Sequence, residues 1–178
     1  MTPDAAFLAN VVANPDDDGP RLIYADYLDD LGDPRGGFIR LQCALAELPP
    51  GDPRREEFRL QEQQLLARHG EEWSAPLRGL GYGFEFRRGF VEEAKIESRV
   101  FLNRGEELFE RAPIRHLQIL DLGSLLRRVT ASPLLSRVAV LTIFAQHLGE
   151  RLVEGLAASP HLSRLRGLNI GRNRLGDR

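Results

Sequence analysis

Ile114-Arg115-His116-Leu117-Gln118-Ile119-Leu120-Asp121-Leu122, Leu135-Ser136-Arg137-Val138-Ala139-Val140-Leu141-Thr142-Ile143 and Leu162-Ser163-Arg164-Leu165-Arg166-Gly167-Leu168-Asn169-Ile170 align without gaps. Each carries apolar residues at its first, fourth, seventh and ninth positions, and the segments start 21 and 27 residues apart. Val91, Ala94 and Ile96 fit the same frame 26 residues before the first segment, as a degenerate opening strand. Apolar residues two apart bury one face of a strand. Self-similarity at a period of about 20–50 residues is the mark of stacked repeats, whose units bury a continuous core together.

The sequence around these segments supports that frame. Pro113, Pro133 and Pro160 each stand shortly before one, where a returning helix must end. Helical returns are expected at Phe101–Arg111 and Leu148–Ala158, the second with Leu152, Val153, Leu156 and Ala157 on one face. The residues between the buried positions then form an exposed concave face. They are Glu93, Lys95 and Glu97; Ile119 and Asp121; Val140, Thr142 and Phe144; and Gly167 and Asn169. Ile119, Val140 and Phe144 put apolar groups on that face, and an exposed apolar stripe marks a partner surface or one covered by the protein's own helices or by a second copy.

Upstream of Gly79 the pattern changes from strand to helix. Residues 3–13 read as a helix capped by Thr2 and opened by Pro3. Pro20 opens a second helix that stops at Gly32, and Asp33-Pro34 opens a third that Pro49-Pro50-Gly51 breaks. A fourth runs from Pro53 to His69 with Gly70 at its end, and Trp73, Pro76, Leu77 and Leu80 read as a packed connection. The expected fold is therefore an α+β or α/β repeat protein: about four N-terminal helices over residues 1–80, then a short array with a parallel sheet over 81–178.

Two family resemblances attach to these stretches. Leu165-x-x-Leu168-x-Ile170-x-x-Asn173-x-Leu175-Gly176-Asp177 resembles the ribonuclease-inhibitor type of leucine-rich repeat, in which the asparagine satisfies backbone groups as the chain leaves the strand. Asn173 alone matches that position, because Leu125 and Gln146 stand at the equivalent places in this frame. Asn14-Pro15-Asp16-Asp17-Asp18-Gly19-Pro20-Arg21-Leu22-Ile23-Tyr24-Ala25-Asp26-Tyr27-Leu28, with Gly32-Asp33-Pro34-Arg35-Gly36 and Phe38-Ile39-Arg40-Leu41-Gln42, is similar to the bacterial repeat-companion domain. Phe86-Arg87-Arg88-Gly89-Phe90-Val91-Glu92 resembles that family's junction with its repeats. Together the resemblances imply a helical capping domain followed by a leucine-rich-repeat solenoid with a degenerate strand and three repeats, and they carry over no catalytic residues. The third repeat reaches Arg178 without a capping segment, so the array is expected to be truncated or short.

Composition bounds the function. Of 178 residues 42% are apolar, enough for a core, and no apolar run approaches the ~18–20 residues of a membrane helix. Met1-Thr2-Pro3-Asp4 has no basic leader, which points to a cytoplasmic protein. Cys43 is the only cysteine and lies among apolar neighbours, so a buried small-residue role is expected. Residues 1–80 carry 15 acidic and 8 basic side chains, and residues 81–178 carry 11 and 16. The basic half suits the acidic half or an acidic partner.

Chemical motifs are weak throughout. An EF-hand-like loop from Asp16 would place Pro20 and Tyr27 at positions that need oxygen ligands, so Asp16-Asp17-Asp18 reads as a helix-capping loop. Asp26 sits between two tyrosines and is expected to be partly buried against Arg21 or Arg40. His69, His116, His147 and His161 have no ligand spacing, so no metal is expected, and no cofactor motif is present. Gly79-x-Gly81-x-Gly83 precedes a strand rather than a helix, unlike a dinucleotide fingerprint. Arg87-Arg88 and Arg127-Arg128 lack interleaved aromatics, which argues against nucleic acid.

The expected function is a non-catalytic protein-interaction module or scaffold that binds through Glu93, Lys95, Ile119, Asp121, Val140, Thr142, Phe144 and Asn169. The alternatives are self-association through an open strand edge near Leu168–Ile170 and an enzyme with a site among the N-terminal helices around Asp26.

Overall fold

A computed structural model describes residues 2–176 as an α+β chain with seven helices and a five-stranded, mostly parallel sheet. The elements are α1 (Pro3–Ala13), α2 (Gly19–Asp30), α3 (Pro34–Glu47), α4 (Arg54–Ser74), β1 (Tyr82–Arg87), β2 (Phe90–Glu97), α5 (Ser98–Arg111), β3 (His116–Leu120), α6 (Leu126–Thr130), β4 (Val140–Thr142), α7 (Glu150–Ala157) and β5 (Gly167–Asn169). Strand order follows chain order, β1-β2-β3-β4-β5. The chain forms two compact units. The first holds residues up to Arg78 with Phe86–Val91 and Glu110–Pro113, and the second holds Gly79–Glu85, Glu92–Phe109 and the residues from Ile114 on.

In the first unit each helix start is set by local chemistry. Thr2 Oγ1 accepts from the Ala5 amide at 3.3 Å, and Asp33 Oδ1 accepts from the Arg35 amide at 2.9 Å, so both cap helices opened by proline. Before α2 the capping work falls to Asp17, whose Oδ1 accepts from Gly19 N at 2.8 Å. Asp18 is released from capping and pairs with Arg88 at 2.9 Å and Arg21 at 3.6 Å. Arg21 is 0% exposed, and its guanidinium donates to the carbonyls of Pro15 (2.9 Å) and Arg88 (3.2 Å). Arg88 also donates to Pro15 O at 2.7 Å, so one carbonyl joins both cations.

Phe90 completes the core built by Val11, Tyr24, Ala25, Leu28, Ile39 and Cys43. Arg21 and Arg35 lie over its ring at 5.4 and 5.1 Å, a favourable placement for partly desolvated cations. The Arg88-Gly89 turn between β1 and β2 has positive φ at both residues, the geometry of a two-residue hairpin. Gln42 holds that turn: its Oε1 accepts from Gly89 N at 2.7 Å and its Nε2 donates to Phe86 O at 3.2 Å.

Two expectations for this unit change. Helix α4 does not stop at Gly70 but runs to Ser74, which places Trp73 on the helix against Phe38, with ring centroids 4.7 Å apart. That aromatic burial outweighs the roughly 1 kcal/mol cost of a mid-helix glycine. Asp26 is not partly buried. It is 68% exposed and pairs with Arg40, which also holds Asp29 at 2.7 Å.

In the second unit β2 to β5 run parallel. The inward row is Ala94–Leu117–Leu141–Leu168, so equivalent positions are spaced by 23, 24 and 27 residues. Phe101, Leu108 and Phe109 of α5, Leu126 and Val129 of α6, and Leu152 and Leu156 of α7 are buried. Val153, expected on the inner face of α7, is 46% exposed.

β3, β4 and β5 leave through the same turn. Residues on either side of Leu122, Gln146 and Asn173 have positive φ: Asp121 and Gly123, Ala145 and His147, Arg172 and Arg174. Five of the six are not glycine, and each pays a steric cost for that conformation. Side-chain amides supply the compensation. Asn173 donates to Ile143 O at 2.6 Å and its Oδ1 accepts from Gln146 N at 3.0 Å. One turn earlier Gln146 donates to Ile119 O at 2.6 Å and accepts from Leu122 N at 2.8 Å. Gln146 thus does for its neighbour what Asn173 does for the next, although the sequence suggests that Asn173 stands alone.

Candidate functional site

The exposed face of the parallel sheet is set by register. Lys95, Gln118, Thr142 and Asn169 lie side by side across four strands, and Glu93, His116, Val140 and Gly167 form the adjacent row. At about 4.8 Å between strands the rows span roughly 14 Å. Glu97 and Leu120 begin a third row. Lys95, Glu97 and Asn169 are exposed, whereas Gln118, Thr142 and Val140 are half-buried. His116 Nδ1 lies 3.6 Å from the Glu93 carboxylate, close enough for an ion pair when the imidazole is charged.

Of the expected face residues, Glu93, Lys95, Val140, Thr142 and Asn169 come together on these rows. Ile119 does not. It is 0% exposed and turns into the core beside Ile96. The frame behind that expectation is shifted by three residues in β3. Ile114, Leu117, Ile119 and Leu122 are the buried set, and Leu120 stands on the outer face. An odd-numbered slip exchanges the two faces of a strand, and the run Leu117 to Leu122 carries enough apolar residues to satisfy either parity. Leu122 settles it, because it occupies the buried position inside the turn that Gln146 and Asn173 fill later.

Asp121 is exposed, but it lies past the end of β3 in the turn itself. Phe144 is half-buried: Arg172 sits over its ring at 5.4 Å, and a Cβ on Gly171 would come within 3.1 Å of it. Asn169 Oδ1 accepts from Gly171 N at 3.2 Å, which fixes the amide beside this ring.

Sequence reasoning missed His116, Gln118 and Leu120. Their signal is the spacing of Ile114, Leu117, Ile119 and Leu122, which matches Leu165, Leu168, Ile170 and Asn173 position for position. The corrected face is a polar, hydrogen-bonding surface with isolated apolar groups, rather than an apolar stripe. Its Lys95–Gln118–Thr142–Asn169 row offers donors on every strand and acceptors on three.

Among the described residues, no group of three or more His, Cys, Asp or Glu side chains could hold a metal ion, and no helix is long and apolar enough to cross a membrane. Comparison with protein-family models, curated proteins and solved structures returns no match.

Proposed function

We propose that this chain is a non-catalytic protein-interaction module of a bacterial cytoplasm, in which a repeat-companion-like helical unit accompanies a short leucine-rich-repeat array that binds a protein partner on its exposed sheet face. The observation that carries this reading is the Lys95–Gln118–Thr142–Asn169 row, in register across four parallel strands, exposed at Lys95 and Asn169 and half-buried between them. The left-handed turn recurring at Leu122, Gln146 and Asn173 supports the repeat assignment. A row of amide, hydroxyl and ammonium groups on a rigid sheet is preorganised, so binding costs little ordering entropy. The test is affinity purification from the native cell with wild-type protein and with Gln118→Ala/Thr142→Arg. Partners retained by the wild type should fall at least tenfold on the double variant. Equal recovery on both would remove the sheet face from consideration.

Leu168 favours a second reading, self-association. It extends the inward Leu117–Leu141 row yet is 46% exposed, because no described element packs beyond β5. Light scattering separates the two: a dimer that Leu168→Glu dissociates supports pairing at this edge, and a monomer at high concentration removes it.

A further inference from the structure

We propose that the helical layer of the second unit carries a separate docking surface for a peptide rich in both acidic and apolar residues. Two grooves flank the segment Gly123–Thr130. One, of about 650 Å³, lies between that segment and α7. The other, of about 270 Å³, lies between it and α5. Each groove has an arginine from both bounding segments: Arg127 and Arg151 in the larger, Arg99 and Arg128 in the smaller. All four side chains are exposed, and among the described residues none has an acidic partner. Other arginines of the same unit are engaged, Arg104 with Glu107 at 2.9 Å and Arg137 with Glu106 at 3.2 Å.

A guanidinium presents a planar fork of donors that fits a carboxylate or a phosphate. Two forks on opposite walls of a concave surface focus positive potential into it. The grooves also offer aliphatic contact, through Leu102 and Leu125 in the smaller and Leu126 in the larger. Gly123, Ala131, Gly155 and Ala158 leave the larger groove open to an entering side chain.

These features favour a peptide over a nucleic acid. Among the described residues, no aromatic ring or lysine lines either groove, so there is no platform for stacking bases. Glu154 lines the larger groove, where it would repel a continuous phosphate chain. A peptide alternating carboxylates with leucine-like side chains meets the arginines and the leucines at once, and its amides can donate to Glu154.

The test is fluorescence anisotropy with a labelled twelve-residue peptide of repeating Glu-Glu-Leu, the same peptide with Gln for Glu, and a single-stranded oligouridylate of equal charge. The Glu peptide should bind and weaken with added salt. Arg127→Gln/Arg151→Gln and Arg99→Gln/Arg128→Gln should each lower its affinity at least fivefold. Arg164→Gln, which lines neither groove, should leave it unchanged, and the Gln peptide should not bind. Arg151→Glu provides a second variant at one position should a double variant lose its helical circular dichroism. The proposal is overturned if the oligouridylate binds as tightly through the same arginines, if the groove variants leave the Glu peptide's affinity intact, or if no Glu-peptide binding is seen at low salt.

Discussion

Gly89 and Asp26 stand at opposite ends of what one side chain can matter here. Gly89 has φ +85°, and a Cβ there would lie 2.7 Å from the Ile39 Cα. Both the backbone conformation and the space exclude any other residue. Gly89→Ala should therefore cost about 2–4 kcal/mol in urea melts. Asp26 is paired with Arg40 in the open, where solvent screens the interaction, so Asp26→Asn should cost under ~1 kcal/mol. Equal losses for the two would mean that the hairpin turn is not the strained, packed junction it looks to be. Asp26 also illustrates why an acidic residue inside a distinctive motif is a poor guide to chemistry. Its tyrosine neighbours face the core, while its own helical position faces water.

At the scale of elements, helix starts were legible because they depend on neighbours in the chain. Thr2-Pro3 and Asp33-Pro34 cap and open helices as expected, since the responsible groups lie within three residues of each other. The α4 terminus was not legible, because Trp73 is held on its helix by Phe38, 35 residues away. Strand parity in β3 failed for a related reason. Leu117, Ile119, Leu120 and Leu122 satisfy two frames equally, and pairing with β4 selects one. The candidate face was accordingly half readable: β2 and β4 gave Lys95 and Thr142, whereas Gln118 between them was hidden by the shifted frame.

The amide bonds between turns make a sharper prediction at this scale. Gln146→Ala strips partners from Leu122 N and Ile119 O, and each buried orphan costs about 1–3 kcal/mol. The expected loss is about 2–4 kcal/mol, with faster hydrogen exchange at the Leu122 amide. Unchanged protection of that amide would show that the contact is dispensable.

For the whole molecule, alkaline pH probes the integrity of the first unit. Burial raises the Tyr24 phenol above its usual range, with a hydrogen bond to Asp4 adding to the effect. Burial likewise pushes the Cys43 thiol up to about 11. Both groups are neutral when protonated, and the folded state holds their protons more tightly than the unfolded chain. Their contribution is complete below about pH 9 and is lost as pH rises, first through Cys43 between about 9 and 11 and then through Tyr24 above 10. Stability should fall as pH rises from about 9 to 11, and Cys43→Ala should flatten the first part of that decline. An identical slope in the variant would assign the alkaline loss elsewhere.

The amides that close each turn also give the array a direction in time. The turn after β3 is completed by Gln146 and the turn after β4 by Asn173, in both cases by a residue of the following unit. A turn leaving the ribosome must therefore wait for some two dozen further residues before its backbone is satisfied, roughly one to five seconds at ordinary synthesis rates. In that interval the nascent chain presents unpaired amides at its growing end and depends on whatever shields them. Unravelling runs the other way: loss of one turn takes away the partners of the turn before it, so loss of structure spreads back toward the N-terminus.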